Sequence, residues 1–137
     1  MLTSLAARRP AGQLLLCLSA LGVAVPVQAR LETVGLYPHA AVYIDTSAPI
    51  ERVGAHRKFW SVTDYKVGQN HEGGGSYRST RAWMDIDCRA RRARVLHLSF
   101  FEGPMQSGKV IEREGILHEW LPIPADSPIA RMAYKLC

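Results

Sequence analysis

Residues 76–88 read SYRSTRAWMDIDC, and this stretch decides the fold. Its apolar side chains recur at every second position: Ala82, Met84, Ile86 and Cys88. The positions between them are occupied by Arg81, Trp83, Asp85 and Asp87. A period of two is that of a β-strand, because successive side chains of a strand lie on opposite faces of a sheet. We therefore predict a strand with one buried, apolar face, and Cys88 belongs to that face.

Further strands are predicted on both sides of this one. The segments with β-rich or alternating composition are residues 41–44, 57–65, 91–101 and 109–113. In the third of these, Leu96, Leu98 and Phe100 alternate with Val95, His97 and Ser99. Alternation in residues 57–65 does not decide which face is buried. Residues 66–75 end in three glycines and are expected to connect two strands as a hairpin loop.

The C-terminal residues change from a strand period to a helix period. Ser127 can cap a helix whose first position is Pro128. The apolar residues that follow at the spacing of one helix face are Ile129, Met132, Ala133 and Leu136. So short a helix is marginal in water and must pack on an apolar surface, of which the strand face with Cys88 is the nearest. The predicted fold is α+β: an antiparallel sheet of five or six strands with one C-terminal helix packed on one face.

The first 29 residues have the features of a secretory signal peptide. Arg8 and Arg9 precede an apolar run over residues 14–25, and the segment contains no acidic residue. Val27 and Ala29 occupy the positions that a signal peptidase recognises. We expect export by the general secretory route and an exported domain that spans residues 30–137.

A membrane anchor is not expected from this segment. Twelve apolar residues span only about 18 Å as a helix, too little for a hydrocarbon layer of about 30 Å, so no transmembrane segment is predicted. Cys17 follows Leu16 rather than a small residue, which disfavours lipidation.

Composition and charge are those of an ordinary globular domain. Apolar residues make up 47% of the chain and charged residues 21%, which excludes a disordered chain. The formal net charge is +5, and it falls to +3 in the 108 residues that follow residue 29. So small an excess in an exported protein gives no reason to expect a nucleic acid as the natural ligand.

Two cysteines, Cys88 and Cys137, remain after the predicted cleavage. An even pair in an oxidising compartment is typical of a disulfide, here between the apolar strand face and the C-terminal residue, just after the predicted helix stripe. A zinc site and a reactive thiol are the alternatives. Neither cysteine has a second Cys or His at ligand spacing, and neither has a motif for nucleophilic work, so the disulfide is favoured.

The order of several short motifs resembles the surface-adhesin protein E family of bacterial envelope proteins. They are residues 42–45 (VYID), Ile50, Arg52, Gly54, Trp60, residues 64–65 (DY), 77–79 (YRS), 85–88 (DIDC), Arg92, Arg94, residues 103–105 (GPM), Gly108, Trp120, Pro124 and Cys137. The resemblance implies the same sheet-and-helix domain and the same cysteine pair. It also implies a location on the surface or in the periplasm of a Gram-negative bacterium.

A run of arginines is a candidate binding patch for an anionic envelope or host component. Four arginines lie within six residues: Arg89, Arg91, Arg92 and Arg94. The alternative is that their guanidinium groups are solvated or pair with Asp85, Asp87 or Glu102.

Aromatic residues extend this candidate patch. Trp83 and Tyr77 are expected on the outward face of their strand beside Arg81, where they would contact a partner or a second copy of the chain. Alternatively, the two rings pack beneath a neighbouring strand or loop. An uncovered sheet edge favours a homodimer.

The sequence gives little support for catalysis, and no metal or cofactor is expected. Asp85 and Asp87 would lie about 7 Å apart on one face, but a cross-strand salt pairing explains them more simply than a catalytic pair does. The histidines are scattered at positions 39, 56, 71, 97 and 118, without ligand spacing.

Two functional classes follow from these observations. The first is a non-enzymatic binding module of the bacterial cell envelope, either adhesin-like or scaffolding. The second is a periplasmic domain that binds a small molecule or lipid in a pocket between helix and sheet, which requires Met84, Leu98 or Met132 to line a void. An enzyme comes third.

Overall fold

A computed structural model describes Gly22, residues 30–112 and residues 119–137 of the chain. The predicted signal peptide, apart from Gly22, and Cys17 within it lie outside the described residues. Within this part of the chain, no helix is both long and apolar enough to cross a membrane.

The described residues form one antiparallel sheet and one helix. In chain order the elements are β1 (Leu31–Leu36), β2 (Ala40–Asp45), β3 (Glu51–Val53), β4 (His56–Asn70), β5 (Ser76–Asp87), β6 (Arg92–Phe101), β7 (Val110–Glu112), β8 (Leu121–Pro122) and α1 (Pro128–Leu136). The main path of the sheet is β1-β2-β4-β5-β6-β7, while β3 pairs with β4 and β8 with β6. This is the predicted architecture, with eight strands in the described part of the chain rather than five or six. Of the additional strands, β3 and β8 have three and two residues, too few to show a period.

A bulge in β6 changes which side chains share a face. Val95 lies opposite Met84, and His97 lies opposite Trp83, so Leu96 is the extra residue between them. Directly opposed residues of antiparallel strands point to the same side of the sheet. Val95 therefore shares the face of Met84, and the predicted strict alternation of Val95 with Leu96 and Leu98 is wrong because a bulge breaks the period.

Helix α1 packs on the apolar face of the sheet, which we call the helix face. Ser127 caps the helix, since its hydroxyl accepts a hydrogen bond from the backbone N–H of Ala130 at 3.1 Å, and Pro128 occupies the first turn. Met132 and Leu136 are buried. The other buried residues of this core are Val34, Val42, Ile44, Phe59, Ile86 and Ala93. The predicted helix, its cap and its apolar stripe are confirmed.

The C-terminus is fastened to the sheet by a disulfide. Cys88 and Cys137 are bonded, with their Cα atoms 5.8 Å apart. Arg52 and Arg57 each donate a hydrogen bond to the backbone carbonyl of Leu136, at 2.9 and 3.0 Å. These guanidinium groups satisfy a carbonyl at the helix end, where positive charge is favourable. The predicted link between helix and strand is therefore confirmed.

Candidate functional site

The face of the sheet opposite α1, which we call the open face, carries an aromatic row. Trp60 lies opposite Trp83, and Trp83 lies opposite His97, so three neighbouring strands present these rings side by side. In the described part of the chain, neither a helix nor a second sheet covers this face. All three side chains are half-buried rather than enclosed.

The rings of this row contact one another. The ring centroids of Trp60 and Trp83 are 5.1 Å apart at 45°, and those of Trp60 and His97 are 6.1 Å apart at 81°. Together with Ala48, Pro49 and Glu51 they line a shallow depression of about 580 Å³, which we call the tryptophan hollow. Aromatic pairs in such tilted or edge-on arrangements are stabilised beyond their buried area.

Arg81 borders this hollow. Its guanidinium carbon lies 4.0 Å from the ring centroid of Trp60, a cation–π contact. One terminal nitrogen of Arg81 donates to Oδ2 of the buried Asp45 at 3.2 Å. Arg81 is thus held in place by a neighbouring ring and a neighbouring carboxylate.

A second depression adjoins the first and is charged. It has a volume of about 290 Å³ and is lined by Glu51, Val53, His56, Lys58, Asp85 and Arg94, and we call it the charged hollow. Asp85 is fully buried at its base. Arg94 donates to Oδ2 of Asp85 through Nε at 3.1 Å and a terminal nitrogen at 2.9 Å, while Nδ1 of His56 lies 3.1 Å from Oδ1.

Trp120 packs against two residues of the charged hollow, His56 and Arg94. Its ring centroid lies 5.6 Å from that of His56. The guanidinium carbons of Arg94 and Arg92 lie 4.3 and 4.6 Å from the Trp120 ring. The indole therefore orders two arginines of the predicted patch by cation–π contact.

The structure divides the arginine run into two pairs. Arg94 is bound to Asp85, and Arg92 is bound to Asp87 at 3.2 Å. Arg89 and Arg91 are exposed at the turn between β5 and β6. Both carboxylates of the predicted Asp85 and Asp87 pair are thus engaged by arginine, as the alternative interpretation expected.

Asp87 also organises the turn that follows it. Its Oδ1 accepts hydrogen bonds from the backbone N–H groups of Arg89 and Ala90, at 3.2 and 3.0 Å. The bond from Ala90 lowers the pKa of Asp87 below its ordinary value, and the hydrogen bond and charge of Arg92 lower it further against the opposing effect of burial.

Tyr77 does not belong to the open face. Its ring contacts Phe100 at 4.7 Å and Tyr65 at 5.7 Å, and both of these lie on the helix face. The prediction that Tyr77 and Trp83 share a face is therefore wrong. Beside Tyr77 the pairing of β4 with β5 is irregular, since residues 65–68 of β4 are set against Arg78 alone on β5. Burial raises the pKa of the Tyr65 hydroxyl, the charge of Tyr77 adds to the rise, and a hydrogen bond with Thr80 opposes it.

A groove remains between α1 and the helix face. It has a volume of about 480 Å³. Met84 and Met132 line it, as the second functional class requires, together with hydroxyl-bearing Ser61, Thr63 and Tyr65. Leu98 is not among its lining residues.

Several residues in or beside the two hollows were not singled out from the sequence as binding residues: Trp60, His97, His56 and Lys58, which line them, and Trp120, which packs against His56. The feature that identifies them is the register of the strands, which places Trp60 opposite Trp83 and Lys58 opposite Asp85. The alternation of residues 57–65 alone could not decide which of its two faces carries a site.

Comparison with known proteins gives a consistent result. No curated protein matches the chain in sequence. A crystal structure of Haemophilus influenzae protein E has a TM-score of 0.59 and 17% identity, and covers 70% of this chain and 79% of its own. Another, of protein E from non-typeable Haemophilus influenzae, has a TM-score of 0.57 and 18% identity, and covers 80% of this chain and 77% of its own. These likenesses concern the fold.

The sequence profile of the family named surface-adhesin protein E matches residues 32–137. Apart from Leu31, the first residue of β1, that span contains the eight strands of the described residues, the helix and both bonded cysteines. Together with the disulfide, the match indicates an exported protein of the cell envelope. The chain therefore belongs to the surface-adhesin protein E family.

Proposed function

We propose that this protein is a non-enzymatic, adhesin-like binding module of a Gram-negative cell envelope, and that its open face contacts the partner. Residues 1–29 act as the signal peptide for general secretion. The domain of residues 30–137 is then released into the periplasm or displayed on the outer surface.

The observation that carries this proposal is the aromatic row on the open face. Large aromatic side chains that are held rigidly and left half-buried are typical anchors of interfaces, because their burial by a partner removes much apolar area at little entropic cost. Trp60 and Trp83 are fixed by each other and by the row that includes His97. A bordering arginine, Arg81, adds a residue type that is also enriched at interfaces.

The test is binding of the labelled, purified exported protein to epithelial cells and to Gram-negative outer-membrane fragments. We expect Trp83→Ala to weaken binding severalfold. Tyr134→Ala, which removes an exposed ring from α1, is the matched control and should bind normally. Equal binding by Trp83→Ala, or no binding to either surface by the unchanged protein, would reject the proposal. Protease treatment of intact and of osmotically shocked cells separates surface display from a periplasmic location.

The exposed arginines are a second part of the proposed binding surface. Among the described residues, neither Arg89 nor Arg91 has an ion-pair partner, so both guanidinium groups are available to an anionic partner. Replacing both with Ser should weaken binding most at low salt, since exposed charges are screened as ionic strength rises. Undiminished binding by this double variant would show that Arg89 and Arg91 do not contact the partner.

The groove between helix and sheet supports a second candidate function, binding of a small molecule or lipid. Its volume and its two methionines are suited to an apolar ligand. Native mass spectrometry of the exported protein should then reveal a co-purified ligand that is absent from Thr63→Trp, a variant that fills the groove from a partly exposed position. A ligand-free spectrum of the unchanged protein argues against this candidate.

Homodimerisation is a further prediction. Strand β1 lies at one edge of the sheet and exposes Leu36. Unpaired edge strands are ready to pair with a second chain. Sedimentation at increasing concentration measures this directly, and a monomer throughout would contradict it.

A further inference from the structure

The two hollows of the open face form one continuous surface. Glu51 lines both of them. Glu51 and Lys58 lie opposite each other on β3 and β4 and point to the same side, yet within the described residues neither makes an ion pair. A carboxylate and an ammonium group are thus left beside an aromatic surface, and together they can accept and donate hydrogen bonds to one ligand.

The aromatic row is a platform and not a cage. Ring centroids 5.1 and 6.1 Å apart belong to rings in contact, so no group fits between them. The guanidinium of Arg81 already lies over Trp60 and would repel a second cation. A quaternary ammonium ligand, which aromatic cages select, is therefore disfavoured here. A ring with a flat apolar face, such as a pyranose or a proline, is favoured.

The unpaired side chains of Glu51 and Lys58 favour a sugar ring over a proline ring. A proline-rich segment offers carbonyl acceptors and few N–H groups, so it would leave the carboxylate of Glu51 without a donor. Sugar hydroxyls both donate and accept. They can satisfy Glu51 and Lys58 at once, while the C–H face of the ring stacks on Trp83.

The local charge is balanced. Lys58 and Arg94 carry positive charge, Glu51 and Asp85 carry negative charge, and the pair of Arg81 with Asp45 is neutral. A site without excess charge has little electrostatic preference for an anionic ligand.

We propose that the two hollows bind a neutral oligosaccharide of hexopyranose units, with one ring on the tryptophan hollow and the next near Lys58. Trp60 and Lys58 are two positions apart on one strand, hence about 7 Å, a separation that neighbouring sugar rings can bridge. This inference rests on the proposed function, because it names the partner class of the same face.

The experiment is binding of the purified exported protein to an array of neutral hexopyranose oligosaccharides, with a heparin tetrasaccharide and a proline-rich peptide on the same array. Titration calorimetry then follows the best neutral binder. We expect Trp83→Ala and Glu51→Ala each to weaken it about tenfold. Tyr134→Ala should have no effect, and affinity should hardly change between about 50 and 500 mM NaCl. Unchanged thermal unfolding verifies that each variant is folded. Because Glu51 is exposed, its replacement tests the binding surface without disturbing the packing of the aromatic rings.

Four results would overturn the inference. They are no binding to any neutral glycan, binding to heparin alone with strong salt dependence, binding to the peptide alone, and equal affinity in the Trp83 variant. Periodate oxidation of the target cells distinguishes this failure from failure of the proposed function. If attachment depends on Trp83 but survives oxidation of the glycans, the open face binds a partner that is not a sugar.

Discussion

Arg94 donates two hydrogen bonds to a single carboxylate oxygen of Asp85, whose side chain is fully buried in the sheet. The guanidinium also lies on the ring of Trp120. Because a buried carboxylate without a partner is strongly unfavourable, this arginine is part of the folded framework rather than a free ligand-binding charge.

We predict opposite outcomes for two members of the arginine run. Arg94→Ala leaves Asp85 with His56 as its remaining partner and should lower the free energy of unfolding by about 3 kcal/mol. Arg89→Ala, at an exposed position, should change it by no more than about 0.5 kcal/mol. Urea unfolding of both variants measures this, and equal stabilities would contradict the assignment.

Removal of the disulfide should destabilise the protein substantially. The bond joins residues 49 positions apart, and the chain-entropy treatment of such a loop gives about 4 kcal/mol for the double variant Cys88→Ser, Cys137→Ser. Denaturant unfolding of the exported protein and of this variant checks the value. In the unchanged protein, mass spectrometry after alkylation should find both thiols blocked until a reductant is added, and two alkylated thiols beforehand would refute the bond.

Acid should erase the stabilising effect of Asp87. Its pKa in the folded protein lies below the ordinary value of 3.8, so its ionised form stabilises the fold above that pH, and this contribution is lost as the pH falls through the lowered pKa. Asp87→Asn should therefore be less stable than the unchanged protein at pH 6, with a difference that shrinks below about pH 4. Glu119→Gln, at an exposed position, is the control. A difference that does not vary with pH would exclude this role.

The helix cap can be tested separately. Ser127→Ala removes the acceptor of the Ala130 N–H and should lower the free energy of unfolding by about 1 kcal/mol. Ser127→Gly should lower the free energy of unfolding by only a few tenths of a kcal/mol. Thermal unfolding of the two variants gives the comparison, and an unaffected Ser127→Ala would mean that water replaces the hydroxyl.

Local sequence patterns were sufficient to predict several elements of the fold. The period of residues 82–88 predicted which strand face is apolar, and Ser127 with Pro128 predicted where the helix begins. These succeed because each depends on residues near one another in the chain. The short strands β3 and β8 were not predicted, because three or two residues are too few to show a period. Such short strands form only by pairing with a longer neighbouring strand.

The alternation rule failed at two positions for one reason. Val95 and Tyr77 both lie next to irregular strand pairing, at the β6 bulge and at the shift between Asp64 and Gln69. In β6 the extra residue exchanges the faces beyond it, whereas next to Tyr77 the extra residues lie on the partner strand β4, where a bulge bends the strand and increases its twist. Strand pairing over long sequence separations decides where this happens.

The amino-acid sequence by itself determined the helix, the apolar face that the helix covers, the cysteine pair and the family resemblance. Only the tertiary structure decided that Trp60 meets Trp83 and His97, and that Asp85 and Asp87 take two of the four arginines. The physical reason is that amphipathic periods and capping are local properties of the chain. A binding surface on a sheet arises from the register of strands that are distant in sequence.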